Sequence, residues 1–397
     1  LKKIVLYGAF DRYNYGDNIM PILFEMFIEK YAKHIFNDFV FEYAAISDSD
    51  LERYCCKPTK NINSFLHTMP ADSALVVIGG EVLCTQNQTL YLHTQSSLSY
   101  NFVLKVFKKL LPVLFKRYAE MFYSAGWEYP FIPPKTCFSE SIRIIYNTVG
   151  GDVKNLSESQ LADVKQRFND AAYFSVRDKR TFEEVSPLYS DTQLAPDSAY
   201  IMSDLLEPDL LRSKVSEEFL LTLPDQYYVF QAAPSKIGCS AQKLIKLISA
   251  LATQNNKKIV LLPIGYASGH DDYDLLKKIH KALPVQTVLL YDLTIWEIMY
   301  TIQNGNMFFG TSLHGAITAM AYNIPHFGIN PKVTKLDAYI QEWSVAPFNK
   351  CYEVEKLVSL PSLVNEKSMI EFQAKSKNSV EQVKQNFHRI IYAISTR

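Results

Sequence analysis

The sequence predicts an α/β fold of two doubly wound domains facing a cleft, and three observations carry that prediction. Short continuous apolar runs, such as residues 4–7, 74–78 and 227–231, read as strands buried on both faces. Segments with apolar residues at helical spacing separate them. The alternation breaks in a polar, proline-bearing stretch, residues 204–224, and then begins again. A length of 397 residues also suits two domains. The expected boundaries are 1–207 for an N-terminal Rossmann-like domain and 225–345 for a second. Residues 366–394 form a helix long enough to cross back onto the first domain, an arrangement common in GT-B-like folds.

In the first half, the run IVLY at residues 4–7 is a buried-type strand, and the polar loop DRYNYGDN leads from it into a helix expected over 19–33. Loops at the carboxyl ends of such strands are where these folds place ligands. Asn14, Gly16 and Asp17 suit hydrogen bonding to hydroxyls, whereas helix capping by Asp17 or Asn18 is the structural alternative. The loop lacks GxGxxG and is a poor phosphate cradle. A second strand follows near 39–44. The run ALVVI then ends in Gly79-Gly80, with Glu81 directly after as a site carboxylate or a helix-start residue.

Residues 101–118, NFVLKVFKKLLPVLFKRY, put Val103, Phe107, Leu110, Leu111 and Leu114 on one helical face. Lys105, Lys108, Lys109, Lys116 and Arg117 lie largely off it, and no acid precedes Glu120. This is the pattern of a basic amphipathic helix that touches an anionic membrane, or of a surface helix with a solvated basic face.

A strand over 142–149 ends in a second diglycine, and the strand YFSVRD presents Arg177 and Asp178 before a helix over 179–185. Arginine suits bidentate recognition of carboxylate or phosphate, and an Arg177–Asp178 pair is the alternative. Asp197 stands at the tip of the turn in QLAPDSA.

In the second half, strands are expected over 227–231, 258–263 and 285–290, with helices over 241–254, 273–283 and 295–303 between and after them. His270, Asp271 and Asp272, past the second of these strands, either bind a hydroxylated substrate or cap the next helix. Residues 306–330 then read as strand, turn, helix and strand. Thr311 or Ser312 is a suitable N-cap, which sets His314 in the first turn among backbone amides. A helix N-terminus attracts anions, so this imidazole is placed to meet a phosphate or carboxylate, or simply to satisfy a turn.

Composition narrows the function classes. Lysine plus arginine equals aspartate plus glutamate at 41 each, so net charge gives no sign of nucleic-acid binding. A hydrophobic share of 48 % supplies substantial cores, and 25 tyrosines supply rings of the kind that line sugar sites. The six cysteines form no CxxC pair or Cys/His ligand set, so no structural metal is expected and the thiols are expected to be reduced. No signal-peptide pattern opens the sequence and no apolar run has the length of a membrane span, which points to a cytoplasmic setting, peripheral on the inner face of the membrane if 101–118 docks there.

Taken in order, NYGD, VVIGG, SVRD, PDSA and GTSLHGAITAMAYNIPHFGI resemble the motifs of the polysaccharide pyruvyl transferase family. The resemblance implies a GT-B-like fold and transfer of a pyruvyl group from phosphoenolpyruvate to a sugar, commonly as a cyclic ketal. Phosphoenolpyruvate is then a co-substrate and no further cofactor is expected. Two positions depart from the family pattern. Glu81 stands where many members have a third glycine, and Ser312 stands where many have an arginine that contacts the donor.

The chemistry needs an acid for the methylene carbon, cations for phosphate and carboxylate, and a base for the sugar hydroxyl. His314 and Asp17 are the expected catalytic pair. Arg177, Ser312, Leu313, Gly315, Lys332 and Lys335 are expected on the donor, and Asn14, Gly16, Glu81, His270 and Asp271 on the acceptor, a sugar of a lipid-linked capsule or exopolysaccharide precursor. A GT-B glycosyltransferase using a nucleotide sugar and a non-catalytic carbohydrate-binding protein are the competing readings.

Overall fold

The computed structural model describes the whole chain except residues 96–97, 155, 266–271 and 397. It divides into two compact units. One comprises Leu1–Glu52, Cys56–Ser198 and Val383–Arg397; the other comprises Arg53–Cys55 and Ala199–Gln382.

In the first unit, β1 (Lys2–Tyr7), β2 (Phe39–Ala45), β3 (Lys60–Asn61), β4 (Ala74–Ile78), β6 (Arg143–Gly151), β7 (Ala171–Val176) and β8 (Gln193–Leu194) form one sheet in the order β3-β2-β1-β4-β6-β7-β8. A short β5 (Glu81–Leu83) pairs with β6. Every pairing among these strands is parallel. Sheets of this kind need apolar residues on both faces, and the runs in β1 and β4 supply them: Ile4 to Tyr7 and Ala74 to Val77 are all fully buried. The strand order reverses between β1 and β4, so their loops open at a topological switch point, where ligands bind in such sheets.

Helix Tyr15–Tyr31 starts earlier than the expected Ile19, because Asn14 caps it by accepting from the Gly16 amide. The side chain of Asn18 in turn accepts from the Asn14 amide at 2.9 Å. Residues 101–118 are not one helix. They belong to helices Leu98–Leu110 and Pro112–Phe122, with Pro112 in the first helical position of the second. Proline has no amide to continue the first helix but fits the start of the next, which the amphipathic pattern alone concealed. Edge-on packing of Phe107 against Phe115, centroids 5.5 Å apart, holds the two together.

In the second unit, β9 (Tyr227–Gln231), β10 (Lys258–Leu261), β11 (Thr287–Leu289), β12 (Met307–Gly310), β13 (His326–Ile329) and β14 (Cys351–Tyr352) run in the order β11-β10-β9-β12-β13-β14. All are parallel, and this is the 3-2-1-4-5-6 order of a dinucleotide-binding fold. Its switch point falls between β9 and β12. The stretch read as a linker, 204–224, is folded into short helices that bury Leu205, Leu211 and Phe219 within this unit.

The final helix, Glu366–Ser395, contributes its residues from Val383 onward to the first unit, where Phe387 packs on Phe24 and Phe27. No disulfide is formed by Cys55, Cys56 or the other cysteines.

Candidate functional site

The switch point of the first unit brings together the loop after β1 and the diglycine after β4. Asn14 uses its oxygen to cap the helix and its amide nitrogen to donate to Asp17 Oδ2 at 3.0 Å. Gly16 is buried in the first turn. Gly80 has φ +74, and a Cβ there would stand 3.1 Å from Asp17 Oδ1, so glycine is needed both for the left-handed turn and for the close approach of this carboxylate. Asp11 fixes the loop: its Oδ2 accepts from the Tyr123 hydroxyl at 2.6 Å and the Ser47 hydroxyl at 3.0 Å.

Glu81 is the start of a short strand, not of a helix. Its Oε2 accepts from Arg177 Nη2 at 2.9 Å, and its Oε1 accepts from Arg180. Arg177 Nη1 donates to the fully buried Asp197 at 3.1 Å, and Asp178 lies 3.9 Å from its Nε. Asp178 has a second task, capping helix Lys179–Val185 by accepting from the Thr181 amide at 2.8 Å. The Arg177 side chain is only 2 % exposed. Burial alone would lower its pKa; the charges of Asp197, Glu81 and Asp178 outweigh that and raise it, so it is a permanent cation. Gly150 makes room for it, since a Cβ there would fall 2.9 Å from Arg177 Nε.

Arg177 was expected on the donor and Glu81 on the acceptor, but the two are one ion pair. Both Arg177 terminal nitrogens donate to carboxylates of the first unit.

In the second unit, Ser312 is the N-cap of helix Leu313–Ala321 and accepts from the Gly315 amide at 3.2 Å. His314 is half-buried in the first turn. Gly315, expected to touch the donor, has a different constraint. Its amide is taken by Ser312, and a Cβ there would stand 2.5 Å from Phe308 and 2.9 Å from Ile264. It is a packing glycine that lets this helix lie on β12. Leu313 is buried, so its contribution to an anion site is its backbone amide.

The loop after β9 joins the same switch point. Gln231, the last residue of β9, accepts from the Thr311 amide at 2.9 Å and donates to Asp272 at 2.8 Å, and the Ala233 amide donates to Thr311 Oγ1 at 3.2 Å. Asp272 does not cap its helix by its side chain, as the sequence allowed. Its carboxylate accepts from the amides of Ile264 and Gly265 at 3.0 and 3.1 Å, tying the end of β10 to β9. Burial raises its pKa, and the bonds from Gln231 and these amides act against that rise. His270 and Asp271 lie outside the described residues.

Sequence reasoning missed Lys236. This half-buried lysine sits in the loop after β9, and its carbonyl accepts from Asn330 Nδ2, at the end of β13, at 2.6 Å. Burial, then the nearby charge of Lys335, pulls its pKa down to about 8. The Lys332 amide donates to Asn330 Oδ1 at 3.1 Å, so Lys236 and Lys332 are anchored to the two ends of one asparagine side chain. Lys332 is exposed. The available signal was positional: Lys236 follows the first strand of the second half as the NYGD loop follows the first strand of the chain.

A family model described as polysaccharide pyruvyl transferase matches residues 14–332, a span that begins at Asn14 and ends at Lys332. The chain belongs to the polysaccharide pyruvyl transferase family. A comparison with curated proteins returns no match. Among solved structures, the UDP-GlcNAc 2-epimerase of Methanocaldococcus jannaschii aligns with a TM-score of 0.53 at 11 % identity, over 97 % of this chain and 100 % of its own. The S. aureus MnaA–UDP co-structure gives 0.53 at 10 %, over 100 % and 99 %. A 2-epimerase from Listeria monocytogenes described as putative gives 0.52 at 12 %, over 99 % and 96 %. At such identities the likeness is one of fold, and that fold is GT-B-like. The family's chemistry is pyruvyl transfer.

Proposed function

We propose that this chain moves the pyruvyl group of phosphoenolpyruvate onto two hydroxyls of a sugar in a capsule or exopolysaccharide precursor, forming a cyclic ketal and releasing phosphate. The observation that carries the reading is the placement of His314 at a helix start on the switch point of the second unit, with Lys236 in the neighbouring loop. An imidazole there is a proton donor, and the helix amides with Lys236, Lys332 and Lys335 form a cationic environment for a phosphorylated carboxylic acid.

In the proposed sequence His314 protonates the methylene carbon of phosphoenolpyruvate, which leaves the adjacent carbon electrophilic. A sugar hydroxyl oxygen bonds to that carbon and its proton passes to Asp17, the carboxylate held by Asn14. The second hydroxyl oxygen then bonds to the same carbon as the bond from that carbon to the phosphate oxygen breaks, and its proton returns to His314, which gave one up in the first step. Inorganic phosphate leaves toward the lysines, whose charge offsets what develops on it. Ser312, in place of an arginine, caps the helix and fixes the amides; Lys236 supplies the cation. Arg177, anchored by Asp197, positions Glu81 for the acceptor.

The test is incubation with phosphoenolpyruvate labelled in its pyruvyl carbons, and separately with UDP-sugars, in the presence of oligosaccharide acceptors. Label retained in a glycan with equimolar phosphate release is expected. Transfer from the nucleotide sugar with no label from phosphoenolpyruvate overturns the reading.

A further inference from the structure

Half of the exposed large hydrophobic side chains among the described residues fall within one short segment, Tyr100 to Phe122, the helical pair around Pro112. The face packed on the first unit is made by Leu104, Phe115 and Ala119, all buried. The opposite face is apolar as well. Phe102, Val106 and Leu110 recur every four residues on the first helix and are 68 %, 39 % and 71 % exposed. On the second helix Val113 and Met121, 67 % and 79 % exposed, flank Arg117 at the same spacing. A surface helix with one apolar side has no need of a second, so this outward face has an occupant.

Its charges say which occupant. Lys105, Lys109 and Arg117 are exposed beside or within the patch, whereas the one acid of the two helices, Glu120, lies 4.0 Å from Lys116. In a two-fold dimer the patch would meet itself and set these cations against one another with no carboxylate between them. An anionic lipid surface accepts both features: the apolar side chains enter the acyl boundary while the lysine and arginine stems reach back to the phosphates. Among the described residues no helix is long and apolar enough to cross a membrane.

We propose that the two helices around Pro112 form a monotopic anchor that lays this outward face into one leaflet of an anionic membrane. Of the face expected from sequence, Val103, Leu110, Leu111 and Leu114 are exposed and Phe107 packs on Phe115, while Phe102, Val106, Val113 and Met121 extend the outward surface. The anchor does not depend on the reaction catalysed.

Co-sedimentation of the full chain with phosphatidylcholine vesicles, with and without phosphatidylglycerol, tests it in the absence of any substrate. Binding to the anionic vesicles that weakens with salt is expected. Replacing Lys105, Lys109 and Arg117 by Gln should weaken it by about fivefold per charge. Changing Phe102, Leu110 and Val113 to Ser should abolish it while leaving the melting temperature unchanged, since all three are exposed. Failure of the wild-type chain to sediment, or undiminished binding by the serine variant, overturns the proposal. So does a dimer in sedimentation velocity that the serine variant dissolves while vesicle binding persists.

Discussion

Arg177 joins Glu81 and Asp197 through its two terminal nitrogens, at 2.9 and 3.1 Å, but the two carboxylates differ in burial: the Glu81 side chain is 35 % exposed and that of Asp197 is 0 %. Removing the cation therefore strands Asp197 in the interior, whereas removing Glu81 exposes one end of a guanidinium that Asp197 still holds. Arg177→Met should cost about 3–5 kcal/mol in urea unfolding, and Glu81→Gln no more than about 1 kcal/mol. Equal losses would show that Glu81, not Asp197, is the anchor.

His314 leaves its mark on rate rather than on stability. Its side chain is half-buried at a helix start, so His314→Ala should keep the fold. Phosphate release from phosphoenolpyruvate in the presence of a competent acceptor should fall by about 10²–10⁴-fold. Unchanged turnover would remove His314 from the mechanism.

Lys236 predicts an alkaline limit on donor binding. With its pKa lowered to about 8, the ammonium form holds below that pH and is lost above it, so KM for phosphoenolpyruvate should rise as pH passes about 8. Lys236→Arg should remove that rise, because a guanidinium stays charged throughout the range. For stability the sign is opposite. The ammonium is disfavoured in the folded state, so its penalty is full below about 8 and is relieved as pH rises toward the ordinary lysine value of 10.5. A pH profile of KM that is the same for both chains would place Lys236 outside the donor site.

Gly315 is predicted to matter through packing. A methyl group there collides with Phe308 and Ile264, so Gly315→Ala should destabilise by about 1–3 kcal/mol as the helix lifts from β12. Denaturant titration measures the loss, and a wild-type midpoint would show that Phe308 moves aside freely.

His326 sets an acid limit. It is fully buried between Phe348 and Phe372, and burial lowers its pKa from 6.5 to about 4. The folded state thus refuses a proton that the unfolded chain accepts between those values, and stability should fall by about 3 kcal/mol as pH drops from 6.5 to 4. His326→Phe keeps the ring packing and should flatten that slope in thermal melts. An identical slope would assign the acid loss to other groups.

Much of this protein is determined by its sequence alone. The buried-type runs in β1, β4, β9 and β12 have one stable use, as central strands of covered parallel sheets, because nothing but an apolar interior satisfies both faces. The turn from Gly310 to Ser312 likewise leaves a helix start at His314, since the cap and the helical spacing are local. Chain order was enough to recognise the family.

What only the tertiary structure decided are the relations that no local pattern encodes. Arg177 looked available for a ligand, but three carboxylates distant in sequence or next to it converge on its guanidinium. No sequence pattern singled out Lys236; the crossover of β9 beside β12 sets its loop against Thr311. The amphipathic stretch before Tyr118 showed apolar and basic residues but not which side faced the protein. The packing settled that: Leu104, Phe115 and Ala119 are buried in the core, whereas Val103, Leu110, Leu111 and Leu114 of the expected face stay exposed and only its Phe107 packs inward.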